Sequence, residues 1–201
     1  AHVARVVENL GEFDPVYVVT GDTDFAGDEA IVYYEDALDE VVKRAPEALR
    51  TMHINRGNRT IPAQYLGRLD FYMFQPGHNY EGQPEAWRLP QDFIANYPKK
   101  PMVNSEPCYE QMGASRNVYW RFTAQDCRAS VWSSILAGAS AGVTYGAHGV
   151  WNWQTSRSQG SVLGEGFDMP FRWQECLQFA GVWDFGAIEH VLASLGATAG
   201  D

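Results

Sequence analysis

Apolar residues along the chain alternate between a helical and an extended spacing. Val3, Val6, Val7 and Leu10 recur at helical intervals, and Gly11 stands where a C-cap belongs, so the chain opens within a helix. Asp14-Pro15 marks a turn. The β-branched and aromatic run Val16–Thr20 predicts a strand, which ends in Gly21-Asp22-Thr23-Asp24. From about Glu29 to Arg50, Ile31, Tyr34, Leu38, Val41 and Val42 share one helical face. Acids lie toward the start of that stretch and Lys43, Arg44 and Arg50 toward its end, as a helix dipole favours. Further short strands are predicted at Thr51–Asn55, Leu69–Phe74, Met102–Ser105 and Gly142–Gly146. Helices are predicted at Pro90–Tyr97, Asp126–Ala141 and Trp173–Leu195.

Strands that alternate with helices favour a parallel sheet with crossover helices. Each predicted strand also carries polar residues at its C-terminal end: Asp22, Asn55, Gln75, Glu106 and His148. That placement predicts an α/β fold of the (β/α)8 TIM-barrel kind, in which the loops after the strands build the site. The rival doubly wound sheet lacks its Gly-rich phosphate loop here. Five strands do not close an eight-stranded barrel. Residues 1–201 are therefore expected to form a partial barrel domain, with the N-terminal part of the same barrel as its partner.

Composition narrows the function. Fifteen Lys+Arg against 25 Asp+Glu give a net charge of −10, which leaves no basic stripe for nucleic acid or an anionic membrane surface. No apolar run approaches the length of a membrane span. Seven Trp and ten Tyr suit stacking on sugars as well as ordinary core packing. Three cysteines, Cys108, Cys127 and Cys176, show no metal-ligand spacing and allow either one disulfide or three free thiols.

The candidate chemistry centres on Asp22 and Glu106. Glycoside cleavage needs two carboxyl groups flanking the bond, one to protonate the leaving oxygen and one to attack the sugar or activate water. Glu106 precedes Pro107, which restricts its backbone. Tyr109 is placed to hydrogen-bond the Glu106 carboxylate, and Glu110 to support it. Asp24 is either a second acid or a cap of the following helix, and Asp22 is preferred for chemistry. His53, His78 and His148 follow strands and suit neutral donation to sugar hydroxyls. With Asp22 they also admit a divalent metal, but the absence of an HxH or HxxxH pair argues against one. No metal or cofactor is expected. Trp151 and Trp153, read as extended, would face one side and floor a sugar subsite. Arg128 is expected to pair locally with Asp126. Gly160-Ser-Val-Leu-Gly164 only loosely echoes a serine nucleophile elbow. A sugar-binding barrel without catalysis and a metal-dependent hydrolase are the competing classes.

Pro101–Glu110, Asp126–Ser130 and Gly142–Trp153 resemble the C-terminal half of apiosidase-like glycoside hydrolases, a group that includes glycoside hydrolase family 140. The resemblance extends from about Val16 to Leu195. It implies a retaining barrel glycosidase in which Val16–Thr20 is strand four and Gly142–Gly146 strand eight. Asp22 would then be the general acid/base and Glu106 the nucleophile. It also implies that His53, Gln75, His78, Tyr145, His148 and Trp151 line the sugar pocket, and Asn104 and Tyr109 are expected to bind substrate beside them. A carbohydrate substrate, in side chains of plant or microbial polysaccharide, and a secreted or periplasmic location follow from the same resemblance. The sequence departs from the wider clan in carrying Asp where its acid/base is usually Glu.

Overall fold

The computed structural model describes residues 2–114, 120–156 and 168–196. In chain order the elements are α1 (His2–Leu10), β1 (Tyr17–Val18), α2 (Asp28–Arg44), β2 (Arg50–Thr51), α3 (Ala63–Leu66) and β3 (Tyr72–Phe74). They continue with α4 (Glu85–Asn96), β4 (Met102–Asn104), α5 (Ala124–Leu136), β5 (Gly142–Val143), α6 (Trp173–Cys176) and α7 (Ala180–Ser194). All strand pairs are parallel. β1 pairs with β2, and β4 lies between β3 and β5. Across the gap between the two sheets, Asp70 N donates to Arg50 O at 2.9 Å and Thr51 Oγ1 to Phe71 O at 2.8 Å. The strands therefore follow one another in chain order, each step crossing over through helical or loop segments.

Several predicted boundaries shift for local reasons. α2 stops at Arg44 rather than Arg50, since Pro46 cannot continue a helix. α4 starts at Glu85, and Pro90 lies within it rather than opening it. α5 ends at Leu136 because Gly138 adopts φ +118°. The last predicted helix divides into α6 and α7 around a turn at residues 177–179. α3 had no clear signal in the sequence. Among the described residues no helix is long and apolar enough to cross a membrane.

The main core lies between β2–β4 and the helices that cover them. Met52, Ile54, Leu69, Tyr72, Phe74 and Met102 meet Leu38, Leu89 and Phe93 there. Tyr72 and Phe74 point the same way from β3, as the two-residue pleat requires, and both rings pack edge-on against Phe93 of α4. Packing on that outward side fixes the strand. The C-terminal ends of β1–β4 then deliver Asp22, His53, Gln75, His78 and Glu106 to one place.

All three cysteines are buried and free. Cys108 and Cys127 lie with their sulfurs 3.9 Å apart, and the Cys127 thiol donates to Cys108 O. Arg128 does not pair with Asp126. It reaches Asp184 of α7 at 3.0 Å, and Asp126 instead completes a capping box with Thr123 at the start of α5.

Candidate active site

Asp22 lies in the turn after β1, just before Thr23 bridges to Ile54. Its backbone is left-handed, φ +47°, a conformation that Asp tolerates better than most residues. The side chain is largely exposed, and Gln75 Nε2 donates to its Oδ1. Gln75 is itself buried and donates also to Ile54 O at 3.0 Å, so it fixes Asp22 to the end of the neighbouring strand. Asp24 does not cap α2. Its Oδ1 accepts from Ala26 N at 2.8 Å in a local turn, and Gly27 occupies the N-cap position.

Glu106 follows β4, and its backbone N lies 3.3 Å from Asn104 Oδ1. Two imidazoles hold its carboxylate: His78 Nε2 at 2.6 Å from Oε1 and His53 Nε2 at 3.3 Å from Oε2. Burial pushes this carboxyl up. The hydrogen bonds from His53 and His78, with the charges on those rings, outweigh burial and hold it at about 2. Glu106 is therefore ionised across the ordinary pH range.

His53 also faces Asp22, whose Oδ1 and backbone N each lie 3.3 Å from Nδ1. A neutral His53 accepts the Asp22 N–H at Nδ1 and donates from Nε2 to Glu106. A protonated His53 donates toward both carboxylates. The hydrogen bond to Glu106 raises its pKa against burial, and the charges of Glu106 and Asp22 add to that. One ligand atom each from Asp22, His53 and Glu106 lie within 4.8 Å of one another, a spacing that could also hold a metal ion.

Tyr109 is close by, but its role differs from the expected one. The hydrogen bonds that hold Glu106 come from the two histidines. Tyr109 instead packs against the His78 ring, centroids 4.1 Å apart, and Gly146 leaves room for its ring. Burial, with the charges of Glu106 and Asp22, pushes its phenol up, so it stays neutral.

Two expected pocket residues face elsewhere. Asn104 is fully buried and donates to Ser134 Oγ of α5 at 2.8 Å, which ties β4 to its covering helix. Tyr145 donates to Glu110 Oε2 at 2.7 Å and packs on Phe185. The buried Glu110 also accepts from Gly181 N at 2.9 Å, which anchors the start of α7. For Asn104 the physical reason is the pleat, which alternates successive side chains of β4 between the site and the helix layer.

His148 is buried at 1% exposure, and neither ring nitrogen has a hydrogen-bond partner. Burial pushes its imidazole down to about 4, with the nearby charge of Arg121 adding to that. Trp151 sits edge-on to it at 6.4 Å and is 41% exposed. Residues 151–153 form turns rather than a strand, so the two indoles do not share a face. Trp153 stacks on Trp173 at 4.6 Å instead. Gly160–Gly164 lies outside the described residues.

With this geometry in place, comparison with known proteins decides the family. A family model described as "Apiosidase-like, catalytic domain" matches residues 1–198. The chain belongs to this family. A search of curated proteins found no match. Among solved structures it is similar to one titled "Glycoside hydrolase" (20% identity, TM-score 0.74), covering 95% of this chain and 45% of that one. It is also similar to a glycoside hydrolase family 5 protein from Bacteroides vulgatus (25% identity, TM-score 0.68), covering 86% of this chain and 39% of that one. A β-glucuronidase from an uncultured Clostridium matches at 12% identity and TM-score 0.55, covering 92% of this chain and 34% of that one. The apiosidase-like chain thus spans less than half the length of these structures and shares their TIM-barrel-like fold.

Proposed function

We propose that this apiosidase-like chain carries both catalytic carboxylates of a retaining glycoside hydrolase acting on polysaccharide side chains. The observation that carries the reading is the meeting of Asp22 and Glu106 from the carboxyl ends of β1 and β4, with ligand atoms within 4.8 Å and Glu106 held ionised. Retaining pairs stand about 5–5.5 Å apart and inverting pairs roughly 6.5–9.5 Å, so the spacing favours retention. Glu106 attacks the anomeric carbon as Asp22 gives its proton to the leaving oxygen, and the glycosidic C–O bond breaks. Water then attacks the glycosyl-enzyme ester, Asp22 takes a proton from it, and Glu106 leaves as carboxylate. His53 and His78 orient Glu106 and favour its charged form.

In the same reading β1–β5 are strands four to eight of the barrel, and the first three come from an N-terminal part. Exposed Val16 and Val18 at β1 and exposed Trp183 on α7 fit surfaces that such a part would cover. The test uses the full protein. Glu106→Gln should nearly abolish turnover of an aryl glycoside panel with its thermal melting intact, and proton NMR should find the product first as the retained anomer. Full activity of the variant, or an inverted product, refutes the assignment.

The Asp22–His53–Glu106 spacing supports a second reading, metal-assisted hydrolysis. Activity that survives exhaustive chelation counts against it. Sugar binding without turnover across the panel would instead support a non-catalytic barrel.

A further inference from the structure

A second concave surface lies beside the site. It is a groove of about 450 Å³ between the β3–α4 and β4–α5 connections, bounded by the start of α4 and by the side of α5 from Asp126 to Ser133. Its walls include Tyr80, Trp87, Trp120 and Phe122, and its polar lining includes Gln83, Asp126 and Ser130. Tyr80, Trp87 and Trp120 are exposed at 61%, 42% and 37%. Tyr80 and Phe122 each meet Trp120 edge-to-face, at 5.7 and 5.5 Å, which restrains the indole. Both connections leave the carboxyl ends of their strands, the end that carries the candidate catalytic groups. Tyr80 follows His78 by two residues, and His78 holds Glu106. The groove therefore adjoins the candidate site along the chain.

The chemistry of the lining points to a ligand, since Asp126 and the half-buried Ser133 stand beside the rings. Aromatic walls with a hydroxyl and a carboxylate beside them match the chemistry of a sugar ring, which has apolar C–H faces and a polar rim. The volume lies within the roughly 300–1,000 Å³ of small-molecule sites.

We infer that this groove is a distal saccharide subsite, which holds a unit of an extended glycan while the bond to be cleaved lies at Asp22 and Glu106. The inference rests on the glycoside hydrolase reading for its place in turnover, but not for binding itself. Trp87 and Trp120 stack on the sugar, and the Asp126 carboxylate faces its hydroxyl groups.

The test uses the full protein with Trp87→Ala, Trp120→Ala and Trp87→Phe, each checked by thermal melting. Oligosaccharides from pectin, xylan and galactan are titrated while the indole N–H signals are followed by NMR. A bound oligosaccharide should shift the Trp87 and Trp120 signals. For an oligosaccharide that is hydrolysed, each alanine variant should raise KM about tenfold with kcat unchanged. An aryl glycoside of the same terminal sugar, too short to reach the groove, should be hydrolysed as by the wild type, and Trp87→Phe should restore most of the KM. Equal losses on both substrates, or unchanged KM on both, overturn the subsite. So do indole signals that no oligosaccharide shifts, as when another segment of the protein fills the groove. If wild-type protein hydrolyses nothing in the panel, the glycosidase reading fails and the indole shifts still decide the groove.

Discussion

Replacing His78 with Ala removes the shorter of the two hydrogen bonds on Glu106, 2.6 Å against 3.3 Å from His53. The wild-type carboxyl stands at about 2 against 4.5 for a free one, although burial alone would raise it. At ~1.4 kcal/mol per pH unit, the two imidazoles together favour the ionised form by more than about 3 kcal/mol. Both imidazoles share that, the His53 hydrogen bond being the larger single one, so the Glu106 midpoint in His78→Ala should rise by roughly one pH unit. With His53→Ala added, only burial remains and the midpoint should exceed 4.5. The assay is carbon NMR of labelled glutamate carboxyls between pH 3 and 6 (approximate bounds that keep the protein folded), with the Glu106 signal assigned from Glu106→Gln. Wild-type Glu106 should not titrate in that window, and the variants should. The sign for stability follows. A depressed carboxyl stabilises the fold above 4.5 and loses that contribution as pH falls toward 2. His53, raised by its partners, contributes below 6.5 and loses that contribution as pH rises through its folded pKa. A double variant whose Glu106 stays ionised down to pH ~3 would refute the two-imidazole account of this charge.

Three further outcomes test the structure. His148 titrates at about 4 in the fold against 6.5 unfolded, so its contribution is present above 6.5 and lost as pH falls through 4. His148→Phe should flatten the fall in stability over that range, by up to ~3 kcal/mol in urea melts. Gly146→Ala puts a methyl group into the Tyr109 ring, which packs on His78, and should lower kcat while costing about 1–3 kcal/mol in thermal melts. Asn104→Ala strips β4 of its hydrogen bond to Ser134 and Glu106 of its backbone partner, and should cost ~1–3 kcal/mol in denaturant melts.

The sequence by itself determined the order of the elements and the position of the chemistry along it. Short β-branched runs closed by polar residues mark β1 to β5, because strand ends in a parallel sheet must leave the apolar layer. The same rule picked out Asp22, Asn55, Gln75, Glu106 and His148, of which the fold brings Asp22, Gln75 and Glu106 together with His53 and His78. Helix ends were less legible, since Pro46, Pro90 and Gly138 act through local backbone geometry that apolar spacing does not reveal. Tertiary structure alone decided which face each side chain takes. Asn104 and Glu106 are two residues apart, yet one is buried against Ser134 of α5 and the other is held between His53 and His78. Only packing settles such a division, because the chain turns out of its strand pleat between them. The same holds for Tyr145, drawn to Glu110, and for Trp153, drawn to Trp173. The groove of Tyr80, Trp87 and Trp120 was invisible for a related reason. Its aromatics come from two connections and a helix, and no spacing rule links residues that only the packing of α4 against α5 makes neighbours.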